Sequence, residues 1–261
     1  RQWSRGRFGL ALLFMLAPAC LESTNASAAR AASATGTPLH RLVYSNLLAV
    51  RYNPLGLDER PRLEYRLRLF DRPGILFKDT YVGMALAPTI SPAVARLGAE
   101  IVIKPLAILL FRAGVFYDQW YGTFQYLASF PSPHSDFSDT ALKDGQDRGD
   151  NYAAGGFEAH FSAKLMIKKG PLVVLSEHHF YYYRMNVNAG DTTFYQIQYD
   201  ALVPAKGWAY TSDTDVLLIT PIRLLLGARL GVVHSFYKAD HYAAGESQDN
   251  PNSPQLRLGP L

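Results

Sequence analysis

The chain has one cysteine, Cys20, among 261 residues, so no disulfide can form within it. Charged residues make up 18%, below the roughly 25% of an average soluble domain. Basic and acidic side chains are interleaved and the formal net charge is +4, which leaves no basic stripe and excludes a nucleic-acid partner. No stretch beyond the N-terminal segment holds the roughly 18 uninterrupted apolar residues that a membrane helix requires. Gly-rich phosphate loops, zinc spacings and calcium loops are missing, so neither a metal nor a cofactor is expected. Tryptophan is scarce, at 3 residues against 16 tyrosines and 14 phenylalanines. That balance suits a surface meeting water and lipid together, because the tyrosine ring is amphipathic.

What is present begins with an export signal. Arg1, Arg5 and Arg7 form a basic region, Phe8 to Ala17 an apolar one, and Ala17-Pro18-Ala19 and Ala26-Ser27-Ala28 offer small-residue cleavage sites. This is the pattern of a secretory signal peptide, too short to span a bilayer. Cleavage after Ala28 gives a signal peptide at 1–28, a short linker at 29–38 and one domain at 39–261. Cys20 then leaves with the signal. A lipidated Cys20 is the competing reading, and Ala17-Pro18-Ala19 lacks the leucine usual three positions before such a cysteine. An exported chain without a spanning helix can enter a membrane only as a closed β-barrel, because only helices and closed barrels satisfy their own backbone in lipid.

From residue 41 the chain reads as strands. In Arg62 to Leu69, Leu63, Tyr65, Leu67 and Leu69 fall on one face and Arg62, Glu64, Arg66 and Arg68 on the other, as period two dictates. Phe157, Ala159, Phe161, Ala163 and Leu165 likewise oppose Glu158, His160, Ser162 and Lys164. Ala95, Leu97, Ala99, Ile101 and Ile103 oppose Arg96, Gly98, Glu100, Val102 and Lys104. Alternation alone also fits a soluble sandwich or a lipocalin-like barrel with an apolar interior.

The turns separate these readings. Four apolar hairpins turn tightly at Pro or Gly, near 71–74, 104–105, 169–171 and 220–221. Between them lie long polar loops at about 122–151, 187–207 and 238–254. Short turns on one side and long loops on the other are the layout of a transmembrane barrel. Strands are expected at 41–52, 62–70, 75–86, 94–104, 106–120, 152–167, 172–186, 207–219 and 222–237, with another from Pro254. Thr193 to Asp200 also alternates and is read as a β extension within an outer loop. The fold expected is all-β, an antiparallel up-and-down transmembrane barrel of about ten to twelve strands.

This pattern of periodicity resembles bacterial outer-membrane β-barrel proteins as a class, over most of residues 41–261. The resemblance implies the outer membrane as location, its lipid and lipopolysaccharide as surroundings, and the barrel-assembly machinery as a partner in biogenesis. Such barrels usually end on an aromatic residue. Here the chain stops at Leu256-Arg257-Leu258-Gly259-Pro260-Leu261 and begins at Arg1 rather than Met, so a fragment is expected. Tyr117, Trp120, Tyr121, Tyr181, Tyr183, Trp208, Tyr210 and Phe236 are expected to form the outer aromatic girdle.

Candidate lumen charges are Arg62, Glu64, Arg66, Arg68, Arg96, Glu100, Arg112, Glu158, Lys164 and Arg229, with Lys78 beside them. Their basic excess predicts a narrow, weakly anion-favouring channel. Both faces turn apolar near the short turns, at 106–111, 172–175 and 224–226, which predicts a constricted or plugged lumen rather than a wide porin. A structural or surface-binding barrel acting through loops 122–151 and 238–254 is the alternative.

A lipid-modifying hydrolase is the third reading. His160 and Ser162 stand two apart, as in the catalytic pair of outer-membrane phospholipase A and of lipid A deacylase, with Glu177, His178 and His179 on the next strand. Their parity places them inside, away from lipid, which departs from those enzymes and favours a hydrogen-bonded network with Glu158 and Lys164. Adjacent histidines point to opposite faces, so only one of His178 and His179 can join His160. Asp139, Asp144, Asp147 and Asp150 read as a solvated loop.

Overall fold

The computed structural model describes residues 38–51, 56–122, 127–222, 224–252 and 254–260. The expected export signal, its cleavage site and Cys20 lie outside them. Within them the fold is all-β apart from one α-helix and two short 3-10 turns.

The strands are β1 (His40–Arg51), β2 (Gly56–Arg68), β3 (Tyr81–Leu86), β4 (Thr89–Ile90), β5 (Val94–Leu106), β6 (Leu109–Trp120), β7 (Ser129–Phe130), β8 (Ala154–Lys169), β9 (Leu172–Met185), β10 (Thr193–Gln196), β11 (Ala201–Pro204), β12 (Lys206–Ile219), β13 (Leu225–Phe236) and β14 (Gln255–Pro260). The main sheet runs β1-β2-β3-β5-β6-β8-β9-β12-β13-β14, each pair antiparallel. Chain order and sheet order coincide, which is an up-and-down meander. β1 and β14 are its edges among the described residues.

Period two sorts the side chains. Met84, Val115 and Phe157 on the outer face are 67%, 64% and 61% exposed, whereas Glu64, Val102 and Glu158 on the other are 4%, 0% and 4% exposed. Ion pairs on the buried face bridge next-but-one strands. Arg62 of β2 meets Glu100 of β5 over β3, and Arg96 of β5 meets Glu158 of β8 over β6. Such strands lie roughly 10 Å apart, a gap that the long arginine and glutamate side chains span, so these pairs tie β2 to β5 and β5 to β8 across the buried face.

Proline and glycine set the interruptions. Pro88 stands between β3 and β4. These two pieces pair with the same neighbours, β2 and β5, and act as one broken strand. The β5–β6 register shifts between Ile103 and Leu106, around Pro105, which has no amide hydrogen to give the ladder. The β8–β9 turn passes through Gly170 at φ 58°, a left-handed conformation that costs glycine little.

Two expectations are corrected. The strand expected over 75–86 is a 3-10 turn at Ile75–Phe77 followed by β3 from Tyr81, so Lys78 sits in a connection and not on the wall. The polar loop 122–151 contains a helix, α1 (Asp139–Arg148). The Ser138 side chain accepts from the Ala141 amide at its N-terminus, and Gly149 at φ 83° closes its C-terminus. Of the extension expected over Thr193 to Asp200, Thr193–Gln196 is strand β10 and residues 197–200 form the turn into β11. β10 pairs with β11 and β7 in a separate small sheet beside the main wall.

Candidate functional site

The inner face is layered from the short-turn end to the long-loop end. Nearest the short turns, Tyr81, Val102, Leu110 and Met166 pack into an apolar floor. Beside and above it lies a belt of ion pairs, with Arg68, Arg112 and Lys164 level with the floor. Arg62 binds Glu64 and Glu100, Arg66 binds Glu64, and Arg68 binds Asp71. Arg96 sits between Asp118 and Glu158 with its guanidinium over the Phe116 ring at 3.8 Å. Arg112 and Lys164 share Glu177, at 3.5 and 2.8 Å. Arg229 makes a two-pronged contact with Asp215 at 2.6 and 2.7 Å.

All ten expected lumen charges therefore lie on the inner face. Each of these cations has an acidic partner, Glu64 and Glu177 each being shared by two. Asp118, Asp213 and Asp215 add negative charge to the same face, and Arg41 and Lys104, both paired with Asp79, add positive charge. Arg62 Nη2 and Arg112 Nε are buried without a hydrogen-bond partner, leaving donors turned into the interior.

The upper layer is aromatic, and the long loops close over it. Trp120, Tyr181, Tyr183, Phe194, Tyr199 and Val203 share one buried cluster. The β10–β11 hairpin is buried along both strands. Its turn lowers Tyr199 against the wall, with the Tyr199 and Tyr183 hydroxyls 3.2 Å apart and the Tyr181 and Tyr199 rings 5.3 Å apart. Ser235 and Tyr237 both donate to the Leu202 carbonyl, at 2.7 and 2.6 Å, and Arg257 donates to the Tyr199 carbonyl at 2.6 Å. Burial pushes the Tyr237 phenol up to about 12, which keeps it a neutral donor. A cavity of about 290 Å³ remains beneath the hairpin, lined by His179, Tyr181, Tyr199, Thr211, Asp213 and Arg257.

Other loops lock this cap. The Ser132 hydroxyl donates to the Glu246 carboxylate, Thr192 Oγ1 donates to the His241 carbonyl at 2.7 Å, and Asn252 Nδ2 donates to the Pro133 carbonyl at 3.4 Å. The Ser132 hydroxyl and the Ala243 amide together hold the Glu246 carboxyl below its ordinary range. From α1, Leu142 packs on Tyr195 and Leu202 of the hairpin.

The aromatic expectation divides by parity. Tyr117, Tyr121, Trp208 and Phe236 are exposed, at 43%, 46%, 47% and 42%, and Tyr210 lies on the same outer face. Trp120, Tyr181 and Tyr183 are corrected: they point inward, are buried, and pack in the cap cluster instead of a girdle. Tyr182 is the outward neighbour, its ring 5.1 Å from Trp208.

His160 and Ser162 share the inner face, but no hydrogen bond joins them among the described residues. The His160 ring instead bonds through Nε2 to His179 Nδ1 at 2.9 Å and stacks on Tyr181 at 4.7 Å. Glu177 lies 3.7 Å from His179 and pairs with Lys164. The interior arrangement is thus a structural network around His160, without a base hydrogen-bonded to a nucleophile. His178 faces out. No group of three or more potential metal ligands occurs among the described residues, and no helix there is long and apolar enough to cross a membrane. Compared with family models, characterised proteins and solved structures, the chain matches none.

Proposed function

We propose that this chain forms the wall of an outer-membrane β-barrel in a Gram-negative-type envelope, with a narrow charge-lined lumen gated at its outer end by the β10–β11 hairpin. One observation carries the reading: the outer face is apolar and exposed while the inner face is charged and buried, the reverse of a soluble barrel. Long strands such as β8 and β9, with 16 and 14 residues, exceed the roughly 9–11 needed to cross the hydrocarbon core. The belt of matched charges favours small, weakly charged solutes over either sign of ion. Phospholipid and lipopolysaccharide would surround the wall, and the barrel-assembly machinery would insert it.

The test is the exported protein itself. It should fractionate with outer membranes, migrate faster on gels before boiling than after, and conduct little in planar bilayers. Replacing 193–204 by a short Gly-Ser linker should raise single-channel conductance several-fold. Soluble fractionation, or an unchanged conductance in the variant, overturns the reading. A second reading, a barrel that binds partners at the cell surface, is favoured by the packing of α1, the hairpin and the 238–252 segment into one ordered cap. It predicts that grafting away α1 abolishes surface binding and leaves conductance unaltered.

A further inference from the structure

The outer face carries an interruption that a lipid-facing wall does not need. On β9, Ser176 and His178 point outward, and on β12 so do Tyr210, Ser212 and Thr214. Around them the same face is mostly apolar, with Phe161, Leu165, Val174, Phe180, Val216 and Leu230 as neighbours in register, and His234 stands opposite Tyr210 on β13. Polar groups within a membrane-facing surface are costly and mark function by default. These are also joined in an order that has chemical meaning. Ser176 Oγ lies 3.1 Å from His178 Nε2, and His178 Nδ1 lies 2.7 Å from the Tyr210 hydroxyl. Thr214 Oγ1 lies 2.8 Å from Ser176 Oγ. Ser176, His178, Tyr210 and Thr214 are all half-buried, held by the wall yet open to the surface.

A nucleophile bonded to a base that is oriented by a third group is the arrangement of a serine hydrolase, recognised by geometry rather than chain order. We propose that the outer face of β9 and β12 is an esterase site, with Ser176 as nucleophile, His178 as general base and Tyr210 as the residue positioning His178. Because the site opens onto the apolar face, its substrate is a carboxylic ester of a membrane lipid; this part rests on the outer-membrane reading above.

The rigid strands set the geometry. Residues two apart on β9 share a face, and register places Thr214 opposite Ser176. In the tautomer that lets Nε2 accept from Ser176, Nδ1–H donates to the Tyr210 oxygen. Ser176 Oγ attacks the ester carbonyl carbon as Nε2 takes its proton. The carbonyl electron pair moves to oxygen, beside the Thr214 hydroxyl, and returns as the ester C–O bond breaks. His178 gives its proton to the departing alcohol, leaving an acyl-Ser176. A water then attacks that acyl carbon, His178 takes the water proton and returns it to Ser176 Oγ, and the fatty acid is released.

The test uses the refolded full chain in detergent micelles. A fluorophosphonate probe should add covalently to Ser176 in the folded protein and not after boiling, located by peptide mass spectrometry. Phosphatidylethanolamine and purified lipopolysaccharide, offered in separate mixed micelles, distinguish the two lipid sources by the fatty acid released. Release should fall at least a hundredfold in Ser176→Ala and His178→Asn, each checked for folded gel mobility. Tyr210→Phe should lower kcat several-fold with KM unchanged. No adduct on the folded parent, an adduct elsewhere, or fatty-acid release surviving in Ser176→Ala overturns the proposal. An adduct on Ser176 with hydrolysis of p-nitrophenyl butyrate, in a protein that fractionates as soluble, keeps the catalytic pair and discards only the membrane substrate.

Discussion

Arg96 shows how much a single inner-face side chain holds together. Its guanidinium sits between Asp118 and Glu158, whose side chains are 8% and 4% exposed, and covers the Phe116 ring. Arg96→Ala would strand two buried carboxylates, and removing one partner of a buried pair costs about 3–5 kcal/mol. Urea unfolding of the refolded protein should register that loss, with a much smaller one for Arg148→Ala, whose pair with Asp150 is exposed. Glu246 offers the matching pH prediction. Its folded carboxyl titrates below the ordinary value of 4.5, so its tie to Ser132 is fully present above that value and is lost as pH falls through the lowered one. Protection of the amides in 129–135 against exchange, taken relative to their intrinsic rates, should therefore fall as the pH drops through that lowered value and stay unchanged between pH 6 and 8. Parity made Arg96 and Glu158 legible in the sequence as inward residues. It could not say that the two meet, because β5 and β8 lie two strands apart in the sheet, with β6 between them. The same limit explains His160 and Ser162. Their common face was readable, but their failure to bond, and the bonding of Ser176 to His178, depend on the neighbours His179 and Tyr210.

At the scale of elements, the strands were the readable part and their interruptions were not. β8 alternates from Phe157 to Leu165, so its faces follow from its sequence pattern, whereas β9 runs as Leu172-Val173-Val174-Leu175, Ser176-Glu177-His178-His179 and Phe180-Tyr181-Tyr182-Tyr183 and takes its faces from its register with β8. In β3, Pro88 and the 3-10 turn at Ile75–Phe77 cut the strand at both ends, and the apolar Ile75, Leu76 and Phe77 imitate a continuation that is not made. α1 was hidden because its sequence is almost wholly polar. The capping serine and closing glycine, Ser138 and Gly149, were the only local signals of it. The alternation of β6 carries a direct prediction. Val115 is 64% exposed in the middle of that strand, and Val115→Arg should cost about 2–4 kcal/mol in lipid vesicles, the cost of an arginine near the bilayer midplane. Guanidinium unfolding from vesicles measures it, and no change would count against lipid contact there. Gly98 is a second check. A Cβ at that position would stand 2.2 Å from Phe116 Cδ1, so Gly98→Val should displace the ring that Arg96 covers and lower stability without altering outer-face residues.

At the scale of the whole molecule, the up-and-down order was legible because short Pro/Gly turns alternate with long loops. The cap was not, since it is built by loops that meet only in space. The Ser132–Glu246 and Asn252–Pro133 hydrogen bonds join residues 114 and 119 positions apart, whereas Lys164 and Glu177 across the β8–β9 turn are 13 apart. That difference has a consequence in time. Near contacts form early and distant ones late, because a longer loop must be closed first. Each wall hairpin can pair as soon as its own turn is made, but the cap ties wait until the segment 237–252 is brought back to 132–133. The molecule therefore passes through a stage with its wall assembled and its mouth open, and Asn252→Ala should prolong that stage. Limited proteolysis during refolding would reveal it as transient cutting within 187–205 that disappears as the segment 237–252 settles.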